Sequence, residues 1–188
     1  MKTAQAITDQ TLIKAYLNGD EKSFEILLGR NQDRVFGYII SKIKNYDLAN
    51  DIFQDVFIKV IKNLKKGAYN EEGKFLPWVL TIAHNLVIDH YRLSRTHASL
   101  DPRISDTKRE SDPMQVVQLS LNNAKLKRAL KKLKPNYRNI IVLKFINELD
   151  NTEISKILKK SEGSVRILQF RALKSLRQVM QSMGITEA

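Results

Sequence analysis

Apolar residues recur at helical spacing along nearly all of this sequence, and one polar stretch interrupts them. Such spacing predicts amphipathic helices, because positions three and four apart share a helix face. No alternating run with hairpin turns indicates a β-sheet. The interruption at 96–119 holds two Asp-Pro pairs and no period, which is typical of a linker. The sequence therefore predicts an all-α fold: two small helical domains at 1–97 and 120–188, joined by a flexible linker at 98–119.

Residues that favour helix starts or ends lie at the boundaries of the predicted helices. Eight helices are predicted, at about 8–18, 20–44, 47–65, 76–95, 122–134, 136–147, 151–159 and 162–181. Gly19 ends the first helix, Asp20 can cap the second, and Pro77 falls in the first turn of the fourth. Asp150 and Glu153 have the spacing of a capping box at the start of the seventh helix.

The net charge of +12 is concentrated in the second half of the chain. Residues 1–119 carry 17 Lys/Arg against 15 Asp/Glu, whereas residues 120–188 carry 15 against 5. A surplus of that size favours a polyanionic partner, most often nucleic acid, although a merely solvated basic face has the same composition. The asymmetry indicates two units with different roles.

Composition disfavours several classes of protein. Without cysteine the chain cannot form disulfides, use a catalytic thiol or bind zinc through thiolates. The three histidines lack metal-ligand spacing, and no catalytic constellation or phosphate loop can be argued. We therefore expect no metal, no cofactor and no enzymatic activity. No apolar run reaches membrane-spanning length and the N-terminus lacks a signal-peptide core, so we expect a cytoplasmic protein without membrane insertion.

The most informative segment is 150–178, where a short helix, a tight break and a basic helix follow one another. This order is typical of a helix-turn-helix. On the last helix, one face combines cations with apolar side chains: Arg166, Ile167, Phe170, Arg171, Lys174 and Arg177. Arginine pairs with guanine edges or phosphates, and an apolar group can contact a thymine methyl, so this face predicts a major-groove reader. The alternatives are that Phe170 packs on a neighbouring helix, or that the segment is an αα-hairpin without a DNA role.

The third predicted helix carries apolar residues over a wider arc than one core face needs. Its remaining sector holds Asp51, Gln54, Asp55 and Ile58. A small acidic patch around an exposed isoleucine suits a protein partner with a basic surface. The alternative is a helix buried on two sides with a solvated rim.

The fourth predicted helix also has an unusual outward strip. Its members are Trp78, Thr81, Asn85, Ile88, Asp89 and Arg92. The preceding loop adds Lys65, Lys66, Tyr69 and Lys74. Aromatic, amide and basic side chains can stack on bases and hydrogen-bond their edges, which suits single-stranded or melted DNA. Trp78 as a cover for the bundle core is the open alternative, and His90 is expected inside that core.

Several motifs in order resemble the extracytoplasmic-function (ECF) sigma factors of bacterial RNA polymerase, the minimal two-domain class. DLANDIFQDVFIKVIKNL is similar to their region 2.2, and FLPWVLTIAHNLVIDHYR to region 2.3–2.4. ALKKLKPNYRNIIVLKF and EISKILKKSEGSVRILQFRALKSL are similar to region 4. The resemblance covers about 10–97 and 120–180, and it implies a promoter-recognition subunit rather than an enzyme. A helix-turn-helix regulator that acts without polymerase is the alternative.

The resemblance implies a role for each surface. The clamp helices of the polymerase β′ subunit would be bound by Asp51, Gln54, Asp55 and Ile58. A flipped base of the −10 element, on the non-template strand, would be captured by Lys65, Lys66, Tyr69, Trp78, Thr81, Asn85, Asp89 and Arg92. The −35 duplex would be bound by Lys144, Ser164, Arg166, Ile167, Phe170, Arg171 and Lys174, with Lys144 and Ser164 on phosphates. Region 4 would also bind the β flap, and an anti-sigma factor is a further expected class of partner.

Two departures from the family pattern bear on these roles. His84 stands where the family has arginine, which implies a weaker phosphate contact. The family's Leu-Pro pair is Leu133-Lys134-Pro135 in this chain, so the helix boundary at that point stays open.

Overall fold

The structure is a computed structural model that describes residues 7–43, 45–70, 74–100 and 124–185, with the backbone alone at 95–100 and 124. Its α-helices, in chain order, are α1 Asp9–Leu17, α2 Glu21–Lys42, α3 Tyr46–Lys65, α4 Phe75–Leu100, α5 Ala124–Lys132, α6 Pro135–Ile141, α7 Asn151–Leu158 and α8 Glu162–Ser182. Within the described ranges no strand occurs, so the all-α prediction is confirmed. Most of the predicted linker lies outside the described residues.

Local sequence sets several helix ends as predicted. Gly19, between α1 and α2, has a φ of 100°, a conformation that glycine adopts at little cost. The Asp20 side chain then accepts from the first turn of α2. At α7 the capping box is complete: the Glu153 N–H donates to Asp150 Oδ1, and the Asp150 N–H donates to Glu153 Oε2, both at 2.8 Å. These caps satisfy backbone donors that a helix start leaves unpaired.

The helix predicted at 136–147 is wrong in part. It is α-helical only as far as Ile141 and continues as a π-helical turn, Val142–Ile146. The wider turn shows in the Asn147 N–H, which donates to the Val142 carbonyl at 2.9 Å. Pro135 is the first residue of α6, so the boundary left open by the longer Leu-Lys-Pro sequence falls after Lys134.

The fourth helix is longer than predicted. α4 reaches Leu100, whereas the prediction ended at 95 and placed the domain limit at 97. Residues 96–100 contain neither glycine nor proline, so the helix has no local reason to end before Pro102. Residues 91–94 are exposed, although the Tyr91 hydroxyl still donates to the Lys42 carbonyl of α2 at 2.8 Å. His90, expected in the core, is only half-buried, and its Nε2 lies 3.3 Å from Ser94 Oγ.

The first four helices pack together in pairs, with α4 against both α2 and α3. The inner face of α4 is fully buried at Val79, Leu80, Ala83 and Val87. In the second half, α5, α6 and α7 each pack against α8. No helix of the described part is both long and apolar enough to cross a membrane. That part also holds no cluster of histidine and carboxylate side chains suited to a metal ion.

Candidate functional site

The orientation of α8 is set by its buried face. Val165 and Ala172 are fully buried against the rest of the helix-turn-helix, which turns the opposite side outward. There Phe170 is 70% exposed and Ile167 is 56% exposed. The cations beside them are also exposed: Arg166, Arg171 and Lys174. Packing of Phe170 on a neighbouring helix is therefore wrong, and the predicted DNA-reading face is presented to solvent.

A groove lies along this face of α8. It is lined by Tyr137, Lys160, Ser164, Ile167, Leu168 and Arg171. Sequence reasoning did not single out Tyr137 or Lys160, because the periodicity of α8 says nothing of residues on other elements. Lys160 belongs to the break between α7 and α8, and its exposed ammonium adds a second cation beside Arg171. The two adjacent lysines in the break, Lys159 and Lys160, were the sequence feature that could have indicated this cation.

The two residues predicted to bind phosphate, Ser164 and Lys144, are not equally accessible. Ser164 is exposed in the first turn of α8, where its hydroxyl lies 2.9 Å from that of the capping residue Ser161. Lys144 is half-buried in the π-helical turn, and its ammonium donates to the Leu149 carbonyl at 3.2 Å. A lysine ammonium has three donors, so Lys144 supports the turn and keeps donors for a phosphate.

On α3 the four predicted residues form one continuous exposed strip. They are Asp51, Gln54, Asp55 and Ile58, at the i, i+3, i+4, i+7 spacing of one helix face. Ile58 is 49% exposed. Neither carboxylate forms an ion pair within the part of the chain that the structure describes. The strip is thus an unneutralised acidic surface with an apolar centre.

The aromatic residues near the start of α4 pack on one another. The Tyr69 and Trp78 ring centroids are 4.9 Å apart with an interplanar angle of 63°, and the Trp78 ring lies 5.9 Å from the buried Phe75 ring. Both Tyr69 and Trp78 are half-buried. The interpretation that Trp78 covers the bundle core is therefore confirmed.

Polar groups of the α4 strip differ in how far they are already bonded. The Thr81 hydroxyl donates to the Pro77 carbonyl at 2.9 Å, which leaves its oxygen to accept. Asp89 and Arg92 form a loose ion pair at 3.8 Å. Asn85 is half-buried, and its amide has no hydrogen bond with the described residues. Asn85 thus offers both a donor and an acceptor, the combination that pairs with a base edge.

The basic residues of the loop before α4 are not equivalent. Lys65, which is the last residue of α3 rather than a loop residue, and Lys66 are both exposed. The Lys65 ammonium lies 5.9 Å from the Tyr16 ring centroid. Lys74 instead pairs with Glu153 of α7, at 3.0 Å. Residues 71–73 of this loop lie outside the described residues.

His84 is bonded inside the fold. Its Nδ1 lies 2.9 Å from the hydroxyl of Tyr38, which is fully buried on α2. Burial lowers the pKa of His84 to about 4, and the nearby charges of Lys42 and Lys159 act in the same direction. Burial likewise lowers the pKa of Lys42 to about 8. A neutral, engaged imidazole is a weaker phosphate ligand than the arginine it replaces in the family pattern.

Family models match both halves of the chain. Residues 27–96 match Sigma-70 region 2, and residues 123–176 match Sigma-70, region 4. The first match contains α3 and the strip of α4, and the second contains the helix-turn-helix.

Curated relatives match over nearly the whole chain. ECF RNA polymerase sigma factor SigW of Bacillus subtilis is 30% identical over 182 residues, covering 91% of this chain and 96% of that protein. RNA polymerase sigma factor CarQ of Myxococcus xanthus is 29% identical, covering 94% and 99%. ECF RNA polymerase sigma factor BldN of Streptomyces coelicolor is 28% identical over 90% of this chain, which spans 64% of the length of BldN.

Two solved structures have a similar fold. CnrH, in complex with the cytosolic domain of CnrY, superposes with a TM-score of 0.65 at 20% identity, covering 93% of this chain and 97% of that one. RpoE of Bartonella quintana, in complex with the anti-sigma factor NepR, superposes with a TM-score of 0.66 at 21% identity, covering 85% and 98%.

Proposed function

Since the chain belongs to the extracytoplasmic-function (ECF) sigma factors of RNA polymerase, which direct transcription initiation, we propose that it docks on core polymerase through α3 and reads a promoter through α4 and α8. The observation that carries this proposal is the outward face of α8, where Phe170 is 70% exposed among cations. A large apolar side chain so exposed on a basic helix suits a ligand that is both anionic and apolar at its surface. The DNA major groove has both properties.

Reading of the −35 duplex is assigned to α8. Arg166 and Arg171 can form bidentate hydrogen bonds with guanine, while Phe170 contacts a thymine methyl. Lys160 and Ser164 lie at the start of α8, where backbone N–H groups and the helix dipole favour phosphate. The groove between them and Arg171 gives this end of the helix a cationic edge for the DNA backbone.

Recognition of a melted −10 base is assigned to the α4 strip. Asn85 supplies the hydrogen bonds to the base edge, Thr81 supplies an acceptor, and Tyr69 and Trp78 supply aromatic surface. Extruding a base from a duplex costs a few kcal/mol. Stacking on an aromatic side chain returns about 1–3 kcal/mol per base. The hydrogen bonds of Asn85 then decide which base is retained.

Binding of core polymerase is assigned to the acidic strip of α3, which would contact the clamp helices of the β′ subunit. Binding of the β flap is assigned to region 4. The phosphoryl transfer belongs to the polymerase, and this chain supplies binding and melting without catalysis. The solved CnrH is in complex with the cytosolic domain of CnrY, and the solved RpoE is in complex with the anti-sigma factor NepR. An anti-sigma factor is accordingly proposed as a partner of this chain in the cytoplasm.

The deciding experiment is transcription by core polymerase with this protein on genomic DNA, followed by mapping of transcript 5′ ends. We expect a set of start sites that share two upstream elements. Phe170→Ala should weaken transcription from promoters that carry the −35 element, whereas Arg128→Ala, which removes an exposed cation from α5, should leave it unchanged. Failure to bind core polymerase, with retained binding to duplex DNA, would instead identify a regulator that acts alone.

A further inference from the structure

We propose that Glu162, the first residue of α8, determines how selectively the helix-turn-helix reads DNA: its carboxylate keeps the Arg166 guanidinium from binding DNA phosphates and directs it to a base edge. The inference rests on the proposed function, which assigns −35 readout to α8. It adds to that function a positioning residue, because Glu162 acts on DNA through Arg166.

Glu162 stands out by its charge. It is the only acidic residue of α8, whose cations are Arg166, Arg171, Lys174 and Arg177. An acid on a surface that binds a polyanion lowers affinity for every DNA sequence, because phosphate contacts supply the sequence-independent part of binding. A loss of affinity that applies to all sequences is useful only if it raises selectivity for one of them.

The Glu162 carboxylate is fixed from outside its own helix. The Thr152 hydroxyl on α7 donates to Glu162 Oε1 at 2.9 Å. Thr152 lies in the first turn of α7, between the two partners of the capping box. A second bond joins the same two helices, since the Gln169 amide donates to Asn151 Oδ1 at 2.8 Å. The start of α7 therefore holds one carboxylate oxygen in place.

The other carboxylate oxygen faces Arg166. Arg166 Nη2 lies 3.7 Å from Glu162 Oε2, one helical turn along α8. Both side chains are in contact with solvent, since Arg166 is 68% exposed and Glu162 is 42% exposed. Within the described ranges, neither Arg171 nor Lys174 forms an ion pair. Of the three cations assigned to the −35 duplex on this helix, the carboxylate thus acts on Arg166.

An exposed pair of this length is weak, so its effect depends on what competes with it. A phosphate oxygen is anionic and approaches Arg166 against the charge of Glu162. A guanine edge offers the neutral acceptors O6 and N7, which the carboxylate repels far less. Arginine has five donors, enough to serve Glu162 and two guanine acceptors together. Glu162 therefore disfavours the phosphate contact of Arg166 more than its base contact.

The location of the pair suits base reading. The N-terminal residues of a recognition helix are the ones that contact base edges. Long side chains on a helix point toward its N-terminus, and the contact with Glu162 keeps the Arg166 guanidinium over the first turn of α8. Phosphate contacts at this end are left to Lys160 and Ser164, which are exposed. The two kinds of contact are thus divided among neighbouring side chains.

The first test removes the charge. Glu162→Gln keeps the size of the side chain and an acceptor for Thr152. Binding of the full-length protein is measured on a −35 duplex from a mapped promoter and on a scrambled duplex of equal length, over a range of salt. Affinity for the scrambled duplex should rise several-fold, and its salt slope should steepen by about one unit as Arg166 turns to a phosphate. Preference for the −35 duplex should fall several-fold, and an unchanged preference would overturn the proposal.

The matched control is Glu21→Gln, the same change at the exposed first residue of α2. Each substitution removes a carboxylate from a helix start, where it stabilises the exposed N–H groups. If Glu162 serves only its own helix, the two variants should lose similar amounts of Tm and neither should change in base preference. That result would also overturn the proposal. We expect Glu21→Gln alone to behave in this way.

A second pair of variants tests the route through Arg166. Thr152→Val removes the hydroxyl that fixes the carboxylate and leaves the net charge unchanged, so preference should fall in the same direction but by less. In an Arg166→Ala protein, Glu162→Gln should cause no further loss of preference, because no guanidinium remains to be positioned. A further loss in the double variant would show that Glu162 contacts a base itself, and the positioning role would be wrong.

The two proposals fail separately. An unmodified protein that binds the −35 and the scrambled duplex equally would remove the assignment of α8, and the role of Glu162 with it. An unmodified protein that prefers the −35 duplex, with a Glu162→Gln variant that prefers it equally, would keep the proposed function and remove only the role of Glu162.

Discussion

The two surfaces assigned to DNA differ in how ready they are to bind. On α8, Phe170 and Ile167 stand in solvent with cations around them. On α4, the Trp78 ring is half-buried under Tyr69, and the Thr81 hydroxyl is bonded to its own helix. The difference follows from the two substrates. Duplex DNA presents its major-groove edges at all times, whereas a single base becomes available only after it leaves the stack.

A rigid exposed face is therefore sufficient for duplex DNA, and a partly closed site is sufficient for a melted base. The α4 site can remain covered until polymerase and promoter provide the base. We therefore expect variants of α8 to change duplex binding, variants of α4 to change melting, and variants of α3 to change both through polymerase.

The largest effect is expected from reversing the acidic strip. Asp51→Lys together with Asp55→Lys should weaken binding to core polymerase by several kcal/mol, because like charges then face each other across the interface. Binding of α8 to duplex DNA should be unchanged. The control is Glu25→Lys with Asp33→Lys, which reverses two exposed acids on α2. Measured affinity for core polymerase that is the same in both double variants would refute the α3 assignment.

The next effect separates melting from duplex binding. Asn85→Ala should lose about 1–3 kcal/mol of discrimination at one −10 position, the value of one good base contact. A premelted template should restore part of the transcription, because the cost of unpairing has been removed, but base preference should stay poor. The measurement is transcription from duplex and premelted templates with each base at each −10 position. Gln32→Ala removes a side-chain amide from an exposed position on α2 and serves as the control.

Two variants in the second half of the chain, Arg166→Ala and Lys144→Ala, allow a matched comparison of duplex binding. Arg166→Ala should cost about 1–3 kcal/mol and relax specificity at one −35 position if Arg166 contacts a base. Lys144→Ala should weaken binding evenly across sequences and reduce the salt slope by about one unit. Both are measured as binding to −35 duplexes over a range of salt. Equal losses on all sequences would show that Arg166 contacts only phosphate.

Periodicity and capping predicted what lies close in sequence. The outward face of α8 follows from Val165 and Ala172 turning inward, and the start of α7 follows from the capping box. Neither periodicity nor capping predicts contacts between residues that are far apart in sequence. The pairing of Lys74 with Glu153, or of Tyr38 with His84, joins residues that no helical period relates. The π-helical turn was missed for a related reason, since its wider hydrogen-bond ring depends on packing rather than on a local residue preference.

The smallest effect is a response of the α4 side to acid. The pKa of His84 is held near 4, first by burial and then by Lys42 and Lys159, while an unfolded histidine titrates near its ordinary value of 6.5. As the pH falls from about 6.5 to about 4, the unfolded chain gains a proton that the folded chain does not, so stability falls with pH in that window. Each kcal/mol lost lowers Tm by about 2–4 °C in a chain of this size.

His84→Asn retains a polar atom near Tyr38 but cannot titrate, so its Tm should fall less between pH 7 and pH 5. His90→Asn, near the exposed end of α4, should keep the full fall of the unmodified protein. If Tm falls as much between pH 7 and pH 5 in His84→Asn as in the unmodified protein, the acid-sensitive group is another residue. The expected difference in acid response between the α4 and α8 surfaces would then be refuted.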